Sequence, residues 1–428
     1  MVGDTLVASR QDRRLAVALA TVALMALLVA PFLFRPLGSE AAKAPDVASF
    51  WSGAAMASDF ISFWTGASLL REGVGPALYD MNLQHDFQVK LRSQRFTGKQ
   101  LVDRLDPFHT PPPLALLMLP LTFLPLAWAY LLWTGASLAG LIAAVVLPLR
   151  GYQRAWTAAV LVLSTGGVVD ILVWGQVDAL FVLAFSVALL AFSQDRRFLG
   201  GALLGALWLK PQYAIVFPLV FVAKRRWAEL AGMAAVGLVF AIISVVVLGL
   251  DGTLHYIEVL RSIGAFYPPA DSFIFPEIMV NWRAIIINLW PNVPEAVGSA
   301  LVVALAVVTL VAALLGWRGH WDPKSQRFAL QMLLTAVAVV LASPHSHLHV
   351  VALLLPPLAL VLARNDPGRP LASVWQIMLA AGFLLTWLGW IASDLRWLTG
   401  VYFILALMML LMMLLGRLGF GAEKRLPT

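Results

Sequence analysis

The sequence predicts an all-α polytopic membrane protein, a bundle of about twelve transmembrane helices with a long first loop on one side. Three observations carry that expectation. Of the 428 residues, 61% are hydrophobic and only 12% charged, where a soluble chain is nearer a quarter charged. Apolar runs of about twenty residues, enough for a roughly 30 Å hydrocarbon core, recur from end to end, and the short alternating segments of a β-barrel do not. Lys and Arg collect in the short loops between the runs, as a topology signal does. The net charge of +7 is therefore no phosphate-binding patch, and a nucleic-acid partner is excluded. With no cysteine in the chain, disulfide frameworks and thiol chemistry drop out as well.

Taken in order, the basic segment "RQDRR" leads into the span Leu15–Phe34. That run is longer than the roughly 7–15 residues of a cleaved signal core, so it reads as an uncleaved anchor. A long loop, 35–111, follows. Within it Phe60, Phe63, Trp64, Ala67 and Leu70 hold helical spacing, which predicts an amphipathic helix in the membrane interface with Trp64 at headgroup level. Pro112–Leu149 is too long for one helix, and Pro120 and Pro125 divide it into a short interfacial piece and one true span. Spans then read as Ala155–Trp174 and Val177–Phe192, a pair across Phe198–Ala223, and Leu230–Leu250. After a second long loop come Ala296–Gly316, Phe328–Ala342, His349–Ala363, Leu371–Ile391 and Leu398–Leu415. Phe198–Ala223 lies between "QDRR" and "KRRW" and must leave and return on one side, turning at Lys210-Pro211. The whole is one integral-membrane domain over 1–428: outer loop 35–111, helical bundle 112–250, outer loop 251–295, C-terminal spans 296–416 and tail 417–428. No internal repeat is visible, which weighs against the common transporter architectures.

Placing Arg10–Arg14 in the cytoplasm puts seven segments inside, the two termini among them. They hold 18 of the 30 Lys and Arg against 7 of the 23 acids, a net +11 inside and −4 outside, as the positive-inside tendency requires. The unusual polar residues near helix ends (Asp170, Asp178, Lys210, His345, His347, His349, Asp394) then all fall on the outer side. Ionisable groups at membrane depth tend to mark function.

Each of these has an ordinary reading beside a functional one. Asp59, ahead of the aromatic helix, is either an N-terminal helix acid or a partly desolvated general base. Gln176 and Asp178 in "WGQVDAL" form either a solvated turn or a polar contact site. Lys210, with no acid near it in the sequence, either snorkels or faces an anionic group. The trio in "SPHSHLH" suggests zinc, but no Glu stands beside it in metalloprotease spacing and Pro344 precedes it; polar ligand contacts or interfacial histidines are the other readings. No Walker loop or serine-nucleophile elbow occurs.

Five segments, in order, resemble glycosyltransferase family 87, membrane-embedded enzymes of the GT-C class: "SDFISFWTGASLLREGVGPALYD", "DPFHTPPPLALLMLPLTFLPLAWAYLLW", "WGQVDALFVLAFSVALLAF", "RRFLGGALLGALWLKPQYAIVFPLVFVAKRRW" and "SPHSHLHVVALLLPPLAL". The resemblance implies a GT-C-like bundle and transfer of a sugar, by family habit mannose, from a polyprenyl-phosphate donor to a glycolipid or glycan acceptor. It assigns Asp59 as catalytic base, and it suits Lys210, His349 and Arg283 to the donor phosphate. Gln176, Asp178, His345, His347, Trp64 and Tyr79 are then candidates for sugar or acceptor contact. The family's post-Ser-Pro element usually carries Trp and a second His where this chain has His347 and Val350, and its proline element usually carries Tyr where this chain has Thr110. No cofactor is implied, because the leaving group is already a phosphodiester and metal is not obligatory. The place implied is the outer face of a bacterial inner membrane, with both termini cytoplasmic. A flippase for lipid-linked glycans, or a non-catalytic glycolipid-binding subunit, remains as an alternative; a flippase wants polar groups through the bilayer midplane, whereas here they gather at one face.

Overall fold

A computed structural model describes residues 58–94, 102–150, 165–268 and 276–364, with isolated positions at 53, 55, 56, 159 and 163. The spans Leu15–Phe34, Leu371–Ile391 and Leu398–Leu415 lie outside the described residues. All regular structure among the described residues is helical. The chain runs through α1 (Phe60–Arg71), α2 (Met81–Ser93), α3 (Pro112–Met118), α4 (Leu126–Val146), α5 (Gly166–Trp174) and α6 (Asp178–Ser193). There follow α7 (Arg197–Leu204), α8 (Pro211–Ala214), α9 (Val216–Ala223), α10 (Trp227–Gly264), α11 (Trp282–Leu289), α12 (Glu295–Gly316), α13 (Gln326–Ala342) and α14 (Leu355–Ala363).

Three stretches among the described residues are long and apolar enough to cross a membrane: Leu126–Leu149, Trp227–Ser262 and Glu295–Gly316. The second buries only 11% of its most apolar window. Leu238, Val239, Ile242 and Val246 stand exposed along it, an apolar surface far larger than a soluble protein shows, and one that suits lipid. The proline-divided segment behaves as its prolines demand. A 3-10 turn at Leu119–Phe123 ends α3, Leu124 is extended, and α4 starts after Pro125.

Shorter helices form the interior. Asp178–Ser193 and Gln326–Ala342 are buried along most of their length. At 1.5 Å per residue they run about 24 Å and about 26 Å, and they join the same two ends of the molecule. At one end the loops after α6, α9 and α12 meet in an open cleft of about 610 Å³ that gathers Arg197, Lys224, Arg226 and Lys324. At the other lie Gln176–Asp178 and the Ser343–His349 loop. The pair across 198–223 therefore does leave and return on one side, with its turn at Lys210. Helices α7 and α10 touch backbone to backbone: a Cβ on Gly201 would sit 1.9 Å from the Glu229 carbonyl, and one on Gly232 2.1 Å from that of Phe198, the small-residue contact that close helix approach needs.

The first loop corrects one expectation. Helix α1 is not an amphipathic interfacial helix, because every residue from Phe60 to Leu69 is buried, and Trp64 lies within the protein rather than at a headgroup surface. Its polar side is used inward. Ser62 Oγ donates to the Pro107 carbonyl (2.9 Å) and Thr65 Oγ1 to that of Ile61 (2.7 Å), so these hydroxyls need no water. Helix α2 buries a polar face of Gln84, Gln88 and Arg92. The Gln88 amide bonds both the N–H (2.9 Å) and the C=O (2.7 Å) of Asp106. Gln84 does the same with Phe108 (2.7 and 3.2 Å). Two glutamines one turn apart thus hold segment 106–108 as a neighbouring strand would.

Candidate active site

Asp59 occupies the N-cap position of α1, yet its backbone is helical (φ −63°, ψ −16°) and its side chain makes no cap bond. A capping aspartate is typically extended and bonds the N–H two or three residues on. The carboxylate turns away instead, and its Oδ2 accepts from Gln176 Nε2. Asp59 is also the one residue between 58 and 69 that is not fully buried, so a substrate can reach it. Burial, with the charge of Asp106 second, pushes its carboxyl up to about 6; Arg104, Gln176 and Lys210 oppose the shift.

Gln176 reaches Asp59 because of the residue before it. Helix α5 closes on Gly175 in the left-handed region (φ 66°), and Gln176 N–H bonds the Ile171 carbonyl at 2.9 Å, a C-cap that favours glycine. A Cβ on Gly175 would lie 2.8 Å from Phe60 Cβ, so the same glycine lets the turn close on the start of α1. Trp133 Nε1 donates to its carbonyl at 2.9 Å. The turn is buried from Gly175 to Asp178, which removes the solvated-turn reading. Gly175→Ala is expected to cost about 2 kcal/mol or more, from left-handed strain and the Phe60 contact, and to displace Gln176 from Asp59. Thermal unfolding of the detergent-solubilised variant checks the cost; an unchanged melting temperature would contradict it.

Lys210 sits at the break between a 3-10 turn, Gly205–Leu209, and α8, with Pro211 fixing the restart. The expectation that it has no acid partner is wrong. Its Nζ donates to Asp178 Oδ2 at 2.8 Å and to Gln176 Oε1 at 3.2 Å, and lies 3.5 Å from His349 Nε2. Phe181 and Tyr213 present their rings at 5.9 and 5.5 Å. With a side chain only 10% exposed it does not snorkel. The acid was hidden because the chain reverses between them, bringing positions 32 residues apart into contact. His349 completes the array. Its Nδ1 lies 3.3 Å from Asp170 Oδ2 and its Nε2 3.8 Å from Asp178 Oδ2. Asp170 selects the Nδ1–H tautomer and leaves Nε2 to accept. Asp59, Gln176, Lys210, Asp178, His349 and Asp170 therefore form one connected polar network. Asp170, which the sequence marks as an unusual acid near a helix end on the outer side, has no role assigned there; its place beside His349 supplies one.

The other candidates lie beside this network or apart from it. His345 and His347 pack edge to face at 4.8 Å, and His347 is 6.1 Å from His349. His109, which sequence reasoning passed over, stands 5.9 Å from His345. Burial lowers His345 well below the usual imidazole range and brings His109 and His347 down to about 4, so all three are neutral at pH 7. Arg283, brought down to about 10 by burial, donates Nε to the Phe266 carbonyl (3.0 Å) and Nη1 to that of Pro344 (3.4 Å). With Val280 N–H on the Ser346 carbonyl (2.7 Å) and Asn281 on that of Ser343 (3.0 Å), it clamps the histidine loop. Tyr79 stacks on Tyr256 at 4.4 Å and donates to the Thr110 carbonyl at 2.7 Å; neither it nor Trp64 joins the network. Among the described residues no three His, Asp or Glu converge as metal ligands.

Comparison with known proteins gives the same direction. A model of Glycosyltransferase family 87 matches residues 108–344, more than half of the chain. Those residues include Asp170, Gln176, Asp178, Lys210 and Arg283, while Asp59 and His349 lie outside them. The polyprenol-phosphate-mannose-dependent alpha-(1-2)-phosphatidylinositol pentamannoside mannosyltransferase of Mycobacterium tuberculosis (strain CDC 1551 / Oshkosh) is 29% identical over 312 residues, 69% of this chain and 68% of that protein. The protein of the same name from Mycolicibacterium smegmatis (strain ATCC 700084 / mc(2)155) is 31% identical over 221 residues, and the chain spans about half of its length (51%). No solved structure matches.

Proposed function

This chain belongs to glycosyltransferase family 87, and from that premise we propose that it moves a hexose, mannose, from a polyprenyl-phosphate donor to a glycolipid or glycan acceptor with inversion at the anomeric carbon. One observation carries the reading: the partly exposed carboxylate of Asp59 is tied through Gln176 to the buried ammonium of Lys210, with His349 against it. A base and a phosphate-binding cation are thereby held in one network, as an inverting displacement from a phosphate leaving group needs.

The step balances on these groups. The acceptor hydroxyl oxygen attacks the anomeric carbon while Asp59 takes its proton. The bond from that carbon to the phosphate oxygen breaks, and its electron pair leaves with polyprenyl phosphate. Lys210 stabilises the charge growing on that oxygen, and His349, whose Nε2 faces the ammonium, helps hold that cation in place. A carboxyl held at about 6 is deprotonated at pH 7 yet more basic than an exposed aspartate, which suits a general base.

The reading places this network at the outer face of a bacterial inner membrane and the basic cleft at the cytoplasmic face, with about twelve spans and both termini inside. Because the chain has no cysteine, single replacements test the sidedness. Lys90→Cys and Lys324→Cys are both at exposed positions. An impermeant maleimide on intact spheroplasts is expected to label the first, and the second only after permeabilisation. The reverse pattern overturns the outer-face assignment.

A further inference from the structure

We propose that His109 and Thr110, with His345, Ser346 and His347, form a neutral hydrogen-bonding wall that holds the hydroxyls of the transferred sugar; this rests on the donor reading above. Two separate segments build it. His109 comes from the stretch before α3 and His345–His347 from the loop before α14, and the rings run His109, His345, His347, His349 at successive centroid distances of 5.9, 4.8 and 6.1 Å. The row therefore begins beside Lys210, the cation assigned to the donor phosphate, and leads away from it. That phosphate carries the sugar and the polyprenyl chain, and only the sugar has hydroxyls for such a wall to meet.

The alternative is a set of ordinary core histidines, and the hydrogen bonding argues against it. Among the described residues Thr110 Oγ1, His345 Nδ1 and Ser346 Oγ are buried atoms with no hydrogen-bond partner. Thr110 is 4% exposed and Ser346 0%. Buried polar atoms are nearly always paired, and a buried polar atom left without a partner loses its hydration with nothing in return. Three such atoms, beside His109 in one segment and in the facing loop, mark a place where partners arrive with a ligand. His109 Nδ1 lies 3.0 Å from the Pro107 carbonyl. A carbonyl only accepts, so Nδ1 carries the proton and Nε2 keeps its lone pair.

The chemistry of the wall selects its ligand. Its side chains are uncharged at pH 7, so they bring no cation to a second phosphate or a carboxylate. Imidazole and hydroxyl groups both donate and accept, and so do sugar hydroxyls. The wall is also preorganised. Gln84 and Gln88 fix the backbone of 106–108 just before His109, and Arg283 with Asn281 fixes the facing loop, which is how a supporting shell confers precision.

The test uses the full-length protein with polyprenyl-phosphate mannose and its 2-, 3-, 4- and 6-deoxy analogues, read as kcat/KM. Wild type is expected to lose about 3- to 10-fold for each hydroxyl whose partner sits on the wall. His109→Ala loses a similar factor with the parent donor, but for one deoxy donor it shows no further loss, and His109→Asn recovers part of the activity. Thr110→Val, close in shape, repeats the logic at a second hydroxyl and carries the test should His109→Ala fail to fold. Equal deoxy penalties in wild type and both variants overturn the wall and leave the donor reading standing. A wild type that transfers from no lipid-phosphate sugar overturns the donor reading, and the wall falls with it.

Discussion

Asp59→Asn is expected to remove sugar transfer almost entirely, by about 10³-fold within the roughly 10²–10⁴ of general-base catalysis, in a protein that still folds. The fold survives because Asp59 caps nothing, and its partner Gln176 presents an amide that can serve an Asn as well as a carboxylate. The pH dependence is the sharper measurement. Only the deprotonated acid accepts a proton, and burial holds it at about 6, so kcat/KM should rise through pH 6 and level near 7; activity is lost as pH falls through that value. The residual rate of the Asn variant should lack this limb. Stability runs the other way. An acid whose folded pKa lies above its unfolded value costs stability as pH rises from the unfolded pKa, and the cost is complete above about 6. The variant should therefore melt at or above the wild-type temperature at pH 7, as expected where a functional group is held against its solvation preference. Wild-type turnover in the Asn variant, or a midpoint near 4, would remove Asp59 as the base.

Much of this arrangement was legible, and the signal was sidedness rather than local pattern. Charge counting placed Asp59, Gln176, Lys210 and His349 on one side of the membrane, and the structure joins those four in one network. Proline punctuation was equally readable, as the break before Pro125 shows. What failed did so for physical reasons. The polar residues of α1 suggested an exposed face, but Ser62 and Thr65 find backbone carbonyls and Thr65 also accepts from Gln88 at 3.1 Å, so the helix is buried on all sides. Periodicity cannot tell a hydroxyl that wants water from one already satisfied. Lys210 seemed unpaired because its partner lies across a chain reversal. His109 was invisible as a lone histidine between prolines until the facing loop was in place.

Lys210→Met is expected to have the second large effect, and its value lies in separating two roles of one cation. The side chain of Asp178 is wholly buried (0% exposed) and its ion pair is Lys210 at 2.8 Å. Removing one partner of a buried pair strands a charge and costs about 3–5 kcal/mol, whereas replacing both by neutral groups of similar size is often neutral. Lys210→Met should therefore melt well below wild type, and Lys210→Met combined with Asp178→Asn should recover most of that loss. Transfer should not recover. Without the ammonium the phosphate oxygen leaves with no cation beside it, a deficit of about 10²–10³ for one lost electrostatic contact, and the double variant restores only the packing. Asp178→Asn alone leaves the ammonium in place, held by Gln176 and close to His349, so it should keep far more activity than either variant lacking Lys210. A double variant that regains transfer along with its melting temperature would make Lys210 a structural cation only.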